Sequence, residues 1–332
     1  MYHLVVTGGA GFLGSHLCRA RLARGDRVTA IDNLSTGRIA AVAELTEHPR
    51  FSLRIADTAD IGTFADLGIV THIAHLACPG SPVAAARVTT ATLRSAVTGT
   101  LAALDVAAAH QARFVLASGC GPHDIESEGI RGRAAPCAQK AAHLLMETAT
   151  RNFPDTRIAI VRPFEVYGPH MRPADGRVTA HLCAAALRDQ TIRLTDPSFR
   201  SFVYIADATE CLSAVLDSDI PGPIDLGGPS ASIADFGRTA CELAGTGWIE
   251  FAPVDPATII RPPALTRTRA ELGWYPTTPL PVGIHHTLDW MRRPILHSAR
   301  ADHRNRRCHR PTAHRYRRRP GLRNRWLPAR SP

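Results

Sequence analysis

Near its start the chain reads VVTGGAGFLGSHL, residues 5–17. A short apolar run breaks into glycines, and the glycines break into apolar residues at helical spacing. The spacing predicts a buried strand over 3–8 and a helix over 14–25 closed by Gly25. Gly8, Gly11 and Gly14 stand in a GxxGxxG pattern between them. Such a turn lets backbone approach a pyrophosphate closely and leaves helix N-terminal N–H groups facing the anion. A second strand over 27–32 ends on Asp32, 18 residues after Gly14. A carboxylate there accepts hydrogen bonds from an adenosine ribose diol and repels a 2′-phosphate, which favours NAD over NADP.

Downstream the same alternation continues. Strands are expected over 51–57, 71–78, 112–118 and 156–164, with a long Ala-rich helix over 83–110 and another helix following Pro136. Strands alternating with helices imply an α/β protein with a doubly wound parallel sheet. After residue 164 the texture changes to Pro- and Gly-rich loops between shorter elements. Helices are expected near 177–188, 206–217, 232–244, 266–272 and 280–292, with a strand near 201–205 and a further short element at PIDLGG. The implied organisation is a dinucleotide-binding domain over 1–163, a smaller substrate domain over 164–291 with some segments returning to the sheet, and a tail over 292–332.

The net charge of +10 is misleading about the body of the chain. Residues 292–332 carry 14 arginines against one aspartate, so the tail holds +13 and the rest sums to −3. The body therefore gives no electrostatic case for nucleic acid. The tail has neither helical nor strand period and reads as disordered. It is open to three readings: a solvated tail, a shifted-frame product of a GC-rich gene, or a polyanion-binding arm. Eight cysteines without CxxC spacing read as reduced thiols in a cytosolic protein, with no metal site expected. No apolar run is long enough to span a membrane, and the N-terminus enters a strand pattern at once without a signal-peptide signature. The expected location is the cytoplasm.

Six segments carry a resemblance: TGGAGFLGSH, DNLSTGR, HLACPGSP, VYGPHMRPADGRV, RSFVYIAD and ELGWYPTTPL. Together they resemble the extended short-chain dehydrogenase/reductases, and within them the UDP-glucuronate decarboxylases, with nucleotide-sugar epimerases and dehydratases next. The likeness covers about residues 1–292. It implies a Rossmann-type fold, NAD as cofactor, a UDP- or dTDP-linked sugar as partner, and a homodimer packed through the helices near 83–110 and 137–153. By this resemblance Gly8, Gly11, Phe12, Leu13 and Gly14 meet the pyrophosphate, and Asp32, Asn33, Thr36, Gly37 and Arg38 surround the adenosine. Asp57 and Thr58 meet the adenine edge, Leu76 and Ala77 the middle of the cofactor, and Thr92 the cofactor from its helix. Arg177 and Arg200 fall where the family holds the nucleotide diphosphate, with Arg261 a third contact. Arginine suits that task through its charge and its bidentate fork.

The family's proton transfer uses a tyrosine in YxxxK and a Ser or Thr at the preceding strand end. Lys140 is the only lysine of the chain and matches the family lysine by helix context; it is expected to hold NAD. The tyrosine position is then Pro136, which suits a first helical turn but transfers no proton. The strand-end pattern is SGCGPHD, with Gly119 at the threonine position and Gly121 at that of an assisting glutamate. An asparagine that usually faces substrate is Glu165 here. Ser118, Cys120 and His123 are the weaker candidates for a substitute catalytic group. Nucleotide binding thus looks intact while turnover is in question. An enzyme of this group, a non-catalytic binding protein and a decayed gene product all stay open.

Overall fold

The computed structural model describes residues 1–60, 62–78, 90–118, 144–194, 198–251 and 265–293, with backbone only for 90–95 and 251. Seven parallel strands form the main sheet: β1 (His3–Thr7), β2 (Arg27–Asp32), β3 (Phe51–Ile55), β4 (His72–His75), β5 (Arg113–Ala117), β6 (Ile158–Pro163) and β10 (Ile224–Leu226). Their order is β10-β6-β5-β4-β1-β2-β3. The chain winds outward from β1 through β2 to β3, then returns to lay β4 against the other side of β1. That reversal leaves a crevice above the C-terminal ends of β1 and β4, where ligands bind in open α/β sheets.

Alternating side chains feed two cores, as strands buried on both faces require. Leu4, Val6, Val28, Ala30, Val115 and Val161 face helices α1 (Phe12–Ala23) and α4 (Ile205–Leu216). Val5, Ile31, Ile73, Phe114 and Leu116 face helix α2 (Thr90–Ala109) and a helical stretch over 144–150, through Leu104, Ala107, Met146 and Ala149. Each such Val, Leu, Ile, Phe or Met side chain contributes about 1.5–3 kcal/mol by leaving water. The first helix begins at Phe12, two residues before the start expected from spacing, so Gly14 lies in its first turn.

The later part of the chain adds α3 (Val178–Leu187), α5 (Ile233–Ala244), α6 (Leu265–Leu272) and α7 (Leu280–Met291). It also adds four short strands that spacing alone did not reveal: β7 (Glu165–Tyr167), β8 (Thr191–Leu194), β11 (Ser230–Ser232) and β12 (Trp248–Phe251). With β9 (Phe199–Tyr204), β7 and β11 make a three-stranded sheet, while β8 and β12 pair in parallel. Local chemistry marks α5 at both ends. Ser232 accepts the Asp235 N–H at 2.9 Å, and Gly245 closes the helix in the left-handed conformation at φ 75°.

Chain order and spatial order diverge in the second half. Strand β10 completes the main sheet against β6, and α4 packs on α1. Buried arginines fasten this return. Arg21 is 0 % exposed and pairs with Asp26 at 2.7 Å and Asp217 at 2.8 Å. Arg113, also buried, donates to the Val215 and Ile220 carbonyls at 3.3 and 2.5 Å, answering the C-terminal end of α4.

Candidate functional site: a glycine cradle and its neighbours

Gly8 leaves β1 at φ +71°, its N–H donating to the Ile31 carbonyl at 2.8 Å. A Cβ on Gly8 would lie 2.8 Å from the Leu76 carbonyl oxygen and 3.1 Å from the Ala77 Cα. A Cβ on Gly14 would collide with the Gly8 carbonyl. These two glycines let the helix, the loop and the end of β4 close on one another. Gly11 differs. Among the described residues, its only neighbour within reach of a Cβ is the Gly8 carbonyl oxygen at 3.0 Å, so it presents bare backbone outward. Gly11 is also the N-cap of α1, without a side-chain cap and without an acidic residue in the first turn. The positive end of the helix is left for an external anion. Phe12 and Leu13 stand half-buried beside it.

Asp32 organises the next segment. Its Oδ2 accepts the Ala10 N–H at 2.9 Å and its Oδ1 accepts the Leu34 N–H at 2.8 Å. Burial raises its carboxyl above the usual range, and the two backbone donors pull it partly back. A Cβ on Gly37 would stand 2.6 and 2.7 Å from the two carboxylate oxygens, so only glycine lets the 32–38 turn fold over Asp32. The Arg38 N–H donates to the Ala10 carbonyl at 3.0 Å, closing the ring of contacts. Asn33 is exposed and donates to Asp57 Oδ2 at 2.9 Å, and Thr36 is exposed next to it. Thr58 is buried in the notch left by Gly99 of α2, so its hydroxyl packs against that helix.

Beneath this cradle runs a buried chain of polar groups that the sequence did not announce. His75, 0 % exposed, stands 2.8 Å by Nδ1 from Thr7 Oγ1 and 3.0 Å by Nε2 from Thr100 Oγ1. The Thr100 hydroxyl donates to the Ala96 carbonyl at 2.6 Å. Its hydrogen is thereby committed, so His75 Nε2–H donates to Thr100 and Nδ1 accepts from Thr7. Burial pushes the His75 pKa down to about 4, which keeps the ring neutral at physiological pH. The ring ties the ends of β1 and β4 to α2 directly under Gly8 and Leu76.

Across the crevice, Arg177 is the N-cap of α3. Its backbone N–H donates to Asp175 Oδ1 at 2.9 Å and its Nε lies 3.4 Å from Asp175 Oδ2. Its guanidinium carbon sits 5.6 Å from the centre of the Phe12 ring, over the first residue of α1. Phe12 in turn meets His16 edge-on, and His16 Nε2–H donates to the Pro169 carbonyl at 3.0 Å. Burial holds His16 near pKa 4, hence neutral. Arg200 of β9 donates through Nε to Ser198 Oγ at 3.1 Å. The structure thus brings the glycine loop, Asp32, Asn33, Gly37, Arg38, Asp57, Leu76, Ala77 and Arg177 around one crevice.

Ser118 follows β5 and is buried, 6 % exposed, and its hydroxyl has no hydrogen-bond partner among the described residues. Lys140, Cys120, His123, Pro136 and Arg261 lie outside the described residues, as does the side chain of Thr92. The five described cysteines are free, and no group of metal-ligating side chains occurs among the described residues. No described helix is long and apolar enough to cross a membrane.

Sheet order, switch-point crevice and glycine cradle define a Rossmann-type dinucleotide-binding α/β protein. Residues 4–227 match the family model described as the NAD dependent epimerase/dehydratase family. The chain belongs to that family, and NAD is its cofactor. It is 33 % identical over 314 residues to UDP-glucuronic acid decarboxylase 1 of Arabidopsis thaliana, covering 88 % of this chain and 70 % of the relative. A UDP-glucose 4-epimerase of Thermus thermophilus solved with NAD superposes with TM-score 0.71 at 24 % identity, covering 88 % of this chain and 99 % of that one. A UDP-glucuronic acid 4-epimerase of Bacillus cereus, solved with UDP-glucuronic acid and NAD, gives 0.73 at 23 %, covering 87 % and 99 %. The residues present fit the cofactor: Gly8 and Gly14 allow the close approach, Gly11 leaves bare backbone at an uncapped helix end, and Asp32 stands at the end of β2.

Proposed function

We propose that the chain is an NAD-binding, nucleotide-sugar-modifying protein of the UDP-glucuronate decarboxylase, epimerase or dehydratase type, with turnover curtailed at the proton-transfer step. One observation carries the nucleotide-sugar part. The Arg177 guanidinium stands over Phe12, where the uncapped positive end of α1 already favours an anion. Two positive features facing one crevice suit a ligand set richer in phosphate than a lone dinucleotide. Arg200, and Arg261 by resemblance, add to the same charge.

When bound, NAD supplies a reversible hydride acceptor. The protein's part is to hold and orient. The glycine loop and the first turn of α1 take the pyrophosphate, and Asp32, Asn33 and Arg38 meet the adenosine. Lys140 holds the nicotinamide ribose, and Arg177 and Arg200 take the sugar nucleotide's diphosphate. The sugar hydroxyl needs a base, and by the family resemblance the tyrosine position is Pro136. Loss of a general base costs roughly 10²–10⁴-fold in rate. That same residue favours a second reading, a non-catalytic NAD or nucleotide-sugar binding protein with a regulatory or partner role. A cytoplasmic homodimer, paired through the helices near 83–110 and 137–153, completes the proposal.

Calorimetric titration with NAD and with UDP-glucuronate, together with absorbance at ~340 nm on mixing, tests it. Binding of both with slow NADH formation supports the enzyme reading. Binding without any signal or product supports the second. Absence of nucleotide binding to a folded protein refutes both.

A further inference from the structure

The polar chain of Thr7, His75 and Thr100 sits where packing alone asks for apolar groups. All three residues are fully buried. Thr7 and His75 continue the alternation of Val5 and Ile73 towards α2, and Phe114 of β5 stacks on the imidazole with ring centroids 5.9 Å apart. Apolar groups of matched shape would serve stability about as well, because a buried neutral hydrogen bond adds little net over them. What hydrogen bonds add to apolar contact is a fixed direction and distance.

Each member of the chain stands next to a segment placed on NAD. Thr7 precedes Gly8, whose Cβ, if present, would lie 2.8 Å from the Leu76 carbonyl oxygen. His75 precedes Leu76 and Ala77; the Leu76 N–H donates to the Thr7 carbonyl at 3.1 Å, and the Cys78 N–H to the Leu76 carbonyl at 2.8 Å. Thr100 follows Gly99, where a Cβ would collide with Thr58 Oγ1. The glycine loop, the end of β4 and the 57–58 loop therefore all depend on where one imidazole holds its neighbours. Helix α2 rests on the sheet through Ala96, Ala103, Leu104 and Ala107. Side chains this small make shallow ridges and specify the position of a helix along its axis poorly. The bond from His75 Nε2–H to Thr100 at 3.0 Å specifies it, with the Thr100 hydroxyl locked on the Ala96 carbonyl at 2.6 Å.

We infer that His75 is a positioning residue for NAD: bonded to Thr7 on one side and Thr100 on the other, it sets the spacing of three segments that hold the dinucleotide and does not touch the dinucleotide itself. The inference rests on the placement of NAD proposed above.

The test is calorimetric titration of the full-length protein with NAD, at a temperature where circular dichroism shows each variant folded. His75→Leu removes both bonds at similar volume and should weaken NAD about 10-fold or more while a single site per chain is kept. Thr100→Val should weaken NAD about 5-fold in the wild type, and by less than about 2-fold further in the His75→Leu background, because the two residues act through one bond. His75→Gln, whose amide N–H replaces Nε2–H, should recover most of the loss. A role confined to stability lowers the number of sites with the folded fraction and leaves the affinity of those remaining unchanged. That result, additive losses in the double variant, or a His75→Gln no better than His75→Leu overturns the inference while NAD binding stands. Failure of the wild type to bind NAD removes the placement and the inference together. Should His75→Leu not fold, Thr100→Val decides, and an affinity within about 2-fold of wild type overturns the inference.

Discussion

His75 offers a quantitative check on the buried polar chain beneath the glycine loop. Its ring is fully buried and held at a pKa of about 4, while an unfolded histidine titrates near 6.5. The sign follows from proton uptake. Between these values the unfolded chain binds a proton that the fold refuses, so stability falls as pH falls. The contribution is whole above pH ~6.5, declines by about 1.4 kcal/mol per unit, and levels off near pH ~4. Integrated from pH ~7.5 to pH ~5, one such site removes about 2 kcal/mol. His75→Asn keeps a short polar group but does not titrate. Its absolute stability should be lower at neutral pH, because the link to Thr100 is broken. The difference between wild type and variant should then shrink by about 2 kcal/mol from pH ~7.5 to pH ~5. His16 and His72, also held near 4 by burial, titrate in both proteins and cancel from the difference. Urea unfolding followed by circular dichroism at the two pH values measures it. A difference independent of pH, or one that widens on acidification, would refute the neutral ring described above.

Other outcomes follow from the same geometry. Gly14→Ala drives a methyl into the Gly8 carbonyl and should destabilise by about 1–3 kcal/mol while weakening NAD binding at least ~10-fold, read by melting and by titration. Arg21→Met strands the buried Asp26 and should cost about 3–5 kcal/mol, seen as a fall in the urea midpoint and partly recovered by adding Asp26→Asn. Arg177→Ala should weaken UDP at least ~10-fold more than it weakens NAD; equal losses would detach this arginine from the sugar nucleotide. The triple change Gly119→Thr, Gly121→Glu and Pro136→Tyr should create or speed NADH formation at ~340 nm, and silence despite intact binding would count against Lys140 as the family lysine.

The parallel sheet was legible because its strands are short apolar runs ending in turn residues, and the long helices because their spacing holds over several turns. Asp32 was read as a ribose acceptor. The structure adds that its two oxygens hold the Ala10 and Leu34 amides, a task that appears only once the loops are folded. Strands β7, β8, β11 and β12 escaped notice for a physical reason. At three or four residues each they carry no measurable period, and β12 finds β8 across more than fifty residues of chain. The Thr7, His75 and Thr100 chain escaped likewise, because its first two members are 68 residues apart. A histidine in the middle of an apolar strand pattern was the available signal, but it does not name its partners. Ser118 and Glu165 were noticed in the sequence as departures or weak candidates.

The arginine fastenings bear on how the protein is made. Arg21 leaves the ribosome early, but Asp217, its second carboxylate, lies 196 residues further on, and Arg113 waits 107 residues for the Ile220 carbonyl. Until those segments are synthesised, both guanidinium groups must stay hydrated, and the apolar face meant for α4 has nothing to cover it. A gene cut after residue 163 should therefore yield an amino-terminal fragment that clumps when expressed alone and becomes manageable when the remainder is supplied alongside it.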